Sequence, residues 1–248
     1  MIRERLWVGC VTCVTAAAVM ILPALSVAAA SAQVTFRTDD GVTIAATFYE
    51  ASRRPAPAVI LLHMLTRSRD DWRSFADRLS DAGIHALAID FRGHGASSGS
   101  FIGADGEPDL SRLVLDVRAA RGYLTARPDV VRSSAIGVAG ASVGATIALL
   151  EAAADPTIKS VALLSPGLEY RSLRSDAPMR KYGRRPALLV AGSNDSYALR
   201  SIRQLVAIGG GGIRETKTLD NGGHGTTMLA RDPELTPALV DWFERTLL

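Results

Sequence analysis

The stretch IGVAGASVGATIALL, residues 136–150, decides how this chain is read. An apolar run breaks at Gly140-Ala141-Ser142-Val143-Gly144, and a helix-like run follows at once. Glycine-rich turns between a strand and a helix serve two chemistries. One cradles a phosphate on the helix N-terminus. The other forces a serine into a sharp bend from which it attacks a carbonyl. The phosphate reading needs the dinucleotide spacing of glycines or a Gly-Lys-Ser/Thr. Gly137, Gly140 and Gly144 lack that spacing, and no lysine follows. The serine reading explains both flanking glycines. The helix leaves so close to the strand that side chains two positions either side of Ser142 would collide. The helix N-terminus also aims free N–H groups and partial positive charge at the serine's surroundings.

Working outward, VTFRT-DDG-VTIAATFYE (34–50) is two alternating runs around Asp40-Gly41, which predicts a β-hairpin. After the Pro-rich RRPAP comes AVILLHM (58–64), a continuous apolar run expected of a strand buried on both faces. RDDWRSFADRLSDAG (69–83) has the pattern of an amphipathic helix, and IHALAIDF (84–91) of a buried strand. DLSRLVLDVRAARGYLTAR (109–127) predicts a helix that ends before Pro128. Strands follow at SAIGVAG (134–140), IKSVALLSPG (158–167) and PALLVAGSND (186–195), and the last strand lies in IRETKTLDN (213–221). Helices are expected from Ser142 to about Ala154, over YALRSIRQLVAIGG (197–210) and over ELTPALVDWFERTLL (234–248). A hairpin followed by alternating strands and helices implies an α/β fold. Its central sheet is mostly parallel, with helices on both faces. Ligands bind such sheets at the carboxyl ends of the strands. The loops after ILLHM, LAIDF, GVAG, LLSPG, VAGSND and TLDN are therefore the places to search.

A serine hydroxyl needs a base, and the base needs an orienting acid. The chain has four histidines. His85 lies inside a strand and reads as packing. His94 sits in a loop on the active edge, and His63 ends the first buried strand. His224, in LDNGGHGTTML, follows the last strand among glycines that allow unusual turns. It is the candidate base, with a polar turn residue as the plain alternative. The candidate acid is Asp195, at the tip of a buried strand, where it could equally cap the helix that follows. Glu169 is second choice, and Asp220 lies too near the strand of the histidine loop. The chain order Ser142, Asp195, His224 is one of three known orders of this triad.

With LLHM, DFRGHGASSG, GASVG, AGSND and GGHGT in order, the body resembles an α/β-hydrolase over nearly all of residues 33–248. It is most similar to small dienelactone-hydrolase-like serine esterases. Dienelactone hydrolases themselves use a cysteine nucleophile, whereas this chain has serine at the bend and no cysteine in the body. The resemblance implies an oxyanion hole from the backbone N–H of Val143 and a donor in the loop after ILLHM. Relatives place a glycine there; this chain has His63-Met64-Leu65, so the role passes to Leu65, with Met64 as the alternative. Met64, Leu65 and Met228 are expected either as apolar substrate walls or as ordinary core. His63 is expected to pin the loop by hydrogen bonds. Relatives often insert a helical cap after LLSPG. Only LEYRSLRSDAPMRKYG (168–183) stands there, too short for a large cap domain, so an open cleft is expected. Its arginines, Arg171, Arg174 and Arg180, suit an acidic substrate or a solvated face.

The first segment, MIRERLWVGCVTCVTAAAVMILPALSVAAASAQ, has basic residues, then an apolar run, then Ala30-Ser31-Ala32. Residues 1–32 therefore read as a secretory signal peptide, with an uncleaved membrane anchor as the alternative. Either way the body is expected outside the cytoplasm, periplasmic or extracellular. Residues 33–248 suit a single domain. Both cysteines, Cys10 and Cys13, fall in the first segment, so no disulfide, cysteine-ligated metal or other cofactor is expected in the body. The net charge of +3 is scattered without a basic stripe, which argues against a nucleic-acid partner. The sequence thus predicts an exported serine hydrolase on a small-molecule ester, thioester or lactone. A peptidase or amidase, and a non-catalytic binding protein, are the competing readings.

Overall fold

The computed structural model describes residues 1, 31–103, 105–208 and 210–248. Cys10, Cys13 and nearly all of the predicted export signal lie outside the described residues. Strand β1 (Ser31–Arg37) pairs antiparallel with β2 (Thr43–Tyr49), as the Asp40-Gly41 turn predicts. The sequence-derived boundary at Gln33 falls two residues inside β1. Next come β3 (Ala56–Leu62), α1 (Arg73–Asp81), β4 (His85–Ile89), α2 (Leu113–Thr125) and β5 (Val131–Ala141). After Ser142 follow α3 (Val143–Ala154) and β6 (Ile158–Leu164). A two-stranded ribbon, β7 (Glu169–Tyr170) and β8 (Leu173–Arg174), leads to α4 (Asp176–Tyr182). The chain ends with β9 (Ala187–Gly192), α5 (Ser196–Ile208), β10 (Arg214–Leu219), α6 (Thr227–Arg231) and α7 (Leu235–Leu247).

The main sheet has eight strands in the order β1-β2-β4-β3-β5-β6-β9-β10. Pairs involving β2 are antiparallel, and all the others are parallel. From β3 the chain first crosses to β4 on one side and then to β5 on the other. The loops leaving β3 and β5 therefore diverge at a switch point, where a crevice opens.

The period-2 geometry of strands divides the core. Ala58, Ile60 and Leu62 face one side with α2, α3 and α5, while Val59 and Leu61 face the other with α1 and α7. This explains why AVILL reads as an unbroken apolar run. Burying each such Val, Leu or Ile stabilises the fold by roughly 1.5–3 kcal/mol relative to exposure. α3 is apolar on nearly every side because it lies on the sheet between α2 and α4.

The sequence reading differs from the structure at three elements. The predicted helix from residue 69 opens as a 3-10 turn, Arg69–Trp72, capped by the Ser68 side chain, before α1 begins. The polar segment 168–183 forms the ribbon and α4, whose Met179 and Tyr182 are buried. α6 follows the histidine loop, where the sequence suggested only loop.

Candidate active site

Ser142 is the bend between β5 and α3. Its backbone has φ 53° and ψ −115°, a left-handed conformation that costs a serine energy and persists only where the surroundings enforce it. They do so here. A Cβ on Gly140 would run into the Gly144 carbonyl, and one on Gly144 would sit 2.5 Å from the Leu62 carbonyl oxygen. The Ser142 N–H donates to the Leu164 carbonyl at 2.8 Å, fixing the bend to β6.

His224 lies in the loop between β10 and α6. Its Nδ1 donates to Asp195 Oδ2 at 2.6 Å, which leaves Nε2 as the basic nitrogen. Asp195 sits between β9 and α5, and its other oxygen, Oδ1, accepts the Ala198 N–H at 3.1 Å. The bond to His224 and the cap of α5 thus fall to different oxygens of one carboxylate. Burial raises its pKa. Hydrogen bonds from His224, the Ala198 amide and the Ser165 hydroxyl outweigh burial and hold it below the ordinary value. Ser142 and His224 line one cleft of ≈ 320 Å³, together with Leu65, Val143, Thr146, Ser165, Gly167, Tyr170, Leu173 and Tyr197. Among the described residues no hydrogen bond joins Ser142 to His224. Contacts of this kind often tighten only when substrate binds.

Val143 is the first residue of α3, where backbone N–H groups lack intrahelical partners. The Leu65 N–H likewise has no partner among the described residues, and both residues border the cleft. Two histidines hold the loop after β3. His63 Nε2 accepts the Phe91 N–H at 3.0 Å, so Nδ1 carries the proton and donates to the Met64 carbonyl at 2.7 Å. His94 Nε2 accepts the Thr66 N–H at 3.3 Å. Burial pushes the His63 pKa down to about 4. His85 is buried in β4 between the Ala51 amide and the Val130 carbonyl.

Two expected wall residues lie elsewhere. Met228 is fully buried in the core beneath α6, because that short helix turns this side chain onto the sheet. Met64 packs under the histidine loop, its sulfur against Gly225, and does not border the cleft. Of the three, Leu65 alone lines it. Glu169 is exposed and pairs with Arg174 at 2.7 Å, and Asp220 is exposed; neither contacts His224. Arg174 and Arg180 are paired with Asp176, which removes the reason to expect an acidic substrate from them.

Six residues of the site were not anticipated: Thr146, Ser165, Gly167, Tyr170, Leu173 and Tyr197. Tyr197 lies one turn past a strand tip already known to face the site, and that position was the available signal. The Tyr197 hydroxyl accepts the Glu169 N–H at 3.0 Å and donates to the Glu169 carbonyl, so α5 holds the ribbon beside the cleft. A larger cleft of ≈ 440 Å³, bordered by Arg67, Asp71, Thr226 and Arg231, contains none of Ser142, Asp195 and His224.

No curated protein matches the sequence significantly. Among solved structures, the esterase Pf2001 of Pyrococcus furiosus superposes with a TM-score of 0.74 at 19% identity. The match covers 89% of this chain and 92% of that one. A dienelactone hydrolase from Anabaena variabilis gives 0.69 at 18% identity, covering 89% and 100%. The α/β hydrolase GrgF from Penicillium gives 0.73 at 16%, covering 88% and 99%. At these identities the likeness establishes the fold. The family described as serine aminopeptidase, S33 (Hydrolase_4), matches residues 53–191, a span that includes Ser142 and stops short of Asp195 and His224. With more than half of its length inside that match, the chain belongs to the S33 serine aminopeptidase family of α/β-hydrolases.

Proposed function

We propose that this hydrolase is a serine esterase that cleaves carboxylic esters through an acyl-enzyme. The observation that carries the reading is the strained Ser142 sharing a cleft with a histidine whose Nδ1 is bound to Asp195. Ser142 Oγ attacks the acyl carbon while His224 Nε2 takes its proton. The carbonyl oxygen becomes an oxyanion, received by the N–H groups of Val143 and Leu65, each worth roughly 3 kcal/mol to the transition state. His224 returns the proton to the departing alkoxide oxygen as the C–O bond breaks. Water, activated by the same histidine, then hydrolyses the acyl-enzyme and frees the acid. Asp195 keeps the imidazole in the productive tautomer and stabilises its charged form.

The family name suggests an aminopeptidase, whose substrate presents a cationic amine. Recognising that amine calls for a carboxylate facing the cleft. The lining residues include no Asp or Glu, and the Asp195 carboxylate is engaged by His224. Tyr170, Leu173, Leu65 and Val143 instead suit an uncharged acyl group. The similarity to the Pf2001 esterase and to the dienelactone hydrolase agrees with this choice. A panel of p-nitrophenyl acyl esters, matched anilides and aminoacyl anilides tests it. Esters should turn over, and aminoacyl anilides should not; preference for the latter would overturn the ester reading. S142A should abolish both turnover and fluorophosphonate labelling.

The export of the body rests on the small-x-small site at Ala30-Ser31-Ala32 after an uncharged apolar run. N-terminal sequencing of the protein recovered outside the cytoplasm should begin at Gln33. A start at Met1 in a membrane fraction would mean an anchor instead.

A further inference from the structure

Ser165 closes β6, is 2% exposed and has a positive φ of 50°. No step of the mechanism above uses it. Its N–H donates to the Val190 carbonyl at 2.7 Å, which ties it to β9, the strand that leads to Asp195. Its Oγ accepts the N–H of Gly225 at 3.0 Å, the residue directly after His224. A hydroxyl has one proton and two lone pairs. With a lone pair taken by Gly225, the O–H remains to donate, and the Ser165 hydroxyl is among the groups that hold the Asp195 pKa down. One side chain thereby grips the loop that carries His224 and favours the ionised carboxylate beside it. The neighbours of Gly225 are anchored separately: Thr226 Oγ1 to Asp71, and Thr227 Oγ1 to the His224 carbonyl at 2.7 Å. Among the described residues, Ser165 alone hydrogen-bonds the histidine loop to the end of β6.

We propose that Ser165 is a positioning residue of the hydrolytic reaction. Its hydroxyl holds His224 in place through Gly225, so that the imidazole stays on the Asp195 carboxylate. The proposal rests on the Ser142 reading. The Ser165 hydroxyl also draws on the charge of Asp195. Without Ser165 more of that charge faces His224, which favours the imidazolium and moves the acidic limb of kcat/KM to higher pH. The other ionisable groups around the pair are Arg231 beside Gly223, Asp71 with Arg67 behind Thr226, His63 beneath the β3 loop, and Tyr197 on α5. All of them stay in place when Ser165 is changed.

The test compares wild type, S165A and S165C on an ester that wild type hydrolyses, with competent sites counted by fluorophosphonate labelling. S165A should lose about tenfold to a hundredfold in kcat per labelled site, the cost of leaving the buried Gly225 N–H without its partner, with KM little changed. Its acidic limb should move upward. S165C keeps a weaker donor and should recover part of both. Unchanged kcat per labelled site in S165A would overturn the proposal. So would lost activity with an unmoved limb in both variants, which is the mark of a merely structural role. If wild-type protein itself took no label, the Ser142 reading would fall first.

Discussion

His63 Nε2 is an acceptor for the Phe91 N–H, so this ring cannot be protonated without breaking that bond. Its pKa in the fold is pushed down to about 4, from the ordinary value of 6.5, chiefly by burial. Between these values the unfolded chain binds a proton that the folded chain refuses. Stability is therefore complete above pH 6.5 and falls as pH drops toward 4, by up to about 3 kcal/mol. Denaturation midpoints measured at pH 7 and pH 4.5 should differ accordingly, and an H63N variant should flatten part of that slope. Asp195 offers a second test. Asparagine caps a helix as well as aspartate does, so D195N should keep most of the melting temperature. It should also lower kcat by roughly 10³–10⁴, because the imidazole loses its tautomer and its counter-charge. Loss of both stability and activity together would mean that the cap, not the acid, is the main role. Ser142 and Asp195 stand out in sequence because each follows a buried strand, and His224 because of the glycines around it after the more exposed β10. Ser165 also ends a strand, yet a serine before a proline looks like any turn. Its role depends on Gly225, sixty positions away.

At the scale of elements, the ribbon β7–β8 walls one side of the cleft with Tyr170 and Leu173. Glu169 and Tyr170 pair with Arg174 and Leu173, and Tyr197 holds the ribbon from α5. Leu173 is 5% exposed and turns inward onto the cleft, while the arginines around it point to solvent and into ion pairs. Shortening this side chain should lengthen the cleft without touching Ser142, Asp195 or His224. We expect L173A to shift the preferred acyl chain of a p-nitrophenyl ester series toward longer members, with the change concentrated in KM. An unchanged chain-length profile would remove Leu173 from the pocket wall. None of this was legible in LEYRSLRSDAPMRKYG. Two-residue strands have no periodicity, and the segment's polarity reflects the side it turns to water. The long apolar strands were legible because burial on both faces leaves no other composition open to them. Met228 shows the reverse failure. A methionine four residues after the base is near the site in sequence, but α6 rotates it into the core.

The molecule as a whole is held at the hairpin end by a buried ionic node that the sequence did not reveal. Arg92 follows β4 and is fully buried. Its Nε donates to Asp116 on α2 at 2.8 Å, and its terminal nitrogens reach Asp40 in the β1–β2 turn at 2.6 and 3.0 Å. Three segments far apart in the chain thus meet at one guanidinium. Sequence reading gave Arg92 only as part of FRGHG, and a charged residue in a polar loop gives no sign of burial. Removing one partner of such a pair leaves a charge stranded in the core, at a cost of about 3–5 kcal/mol. Asp116 is 0% exposed and has no solvent to replace its role, so D116A should fall near that range in urea unfolding. Asp40 is 26% exposed and can be replaced partly by water, so D40A should cost less. Neither residue borders the cleft. The fraction of either variant that folds should therefore keep wild-type KM and acyl-chain preference. A larger loss for D40A than for D116A would mean that Arg92 is satisfied mainly from the hairpin turn, and that α2 is held to the sheet by its apolar face alone.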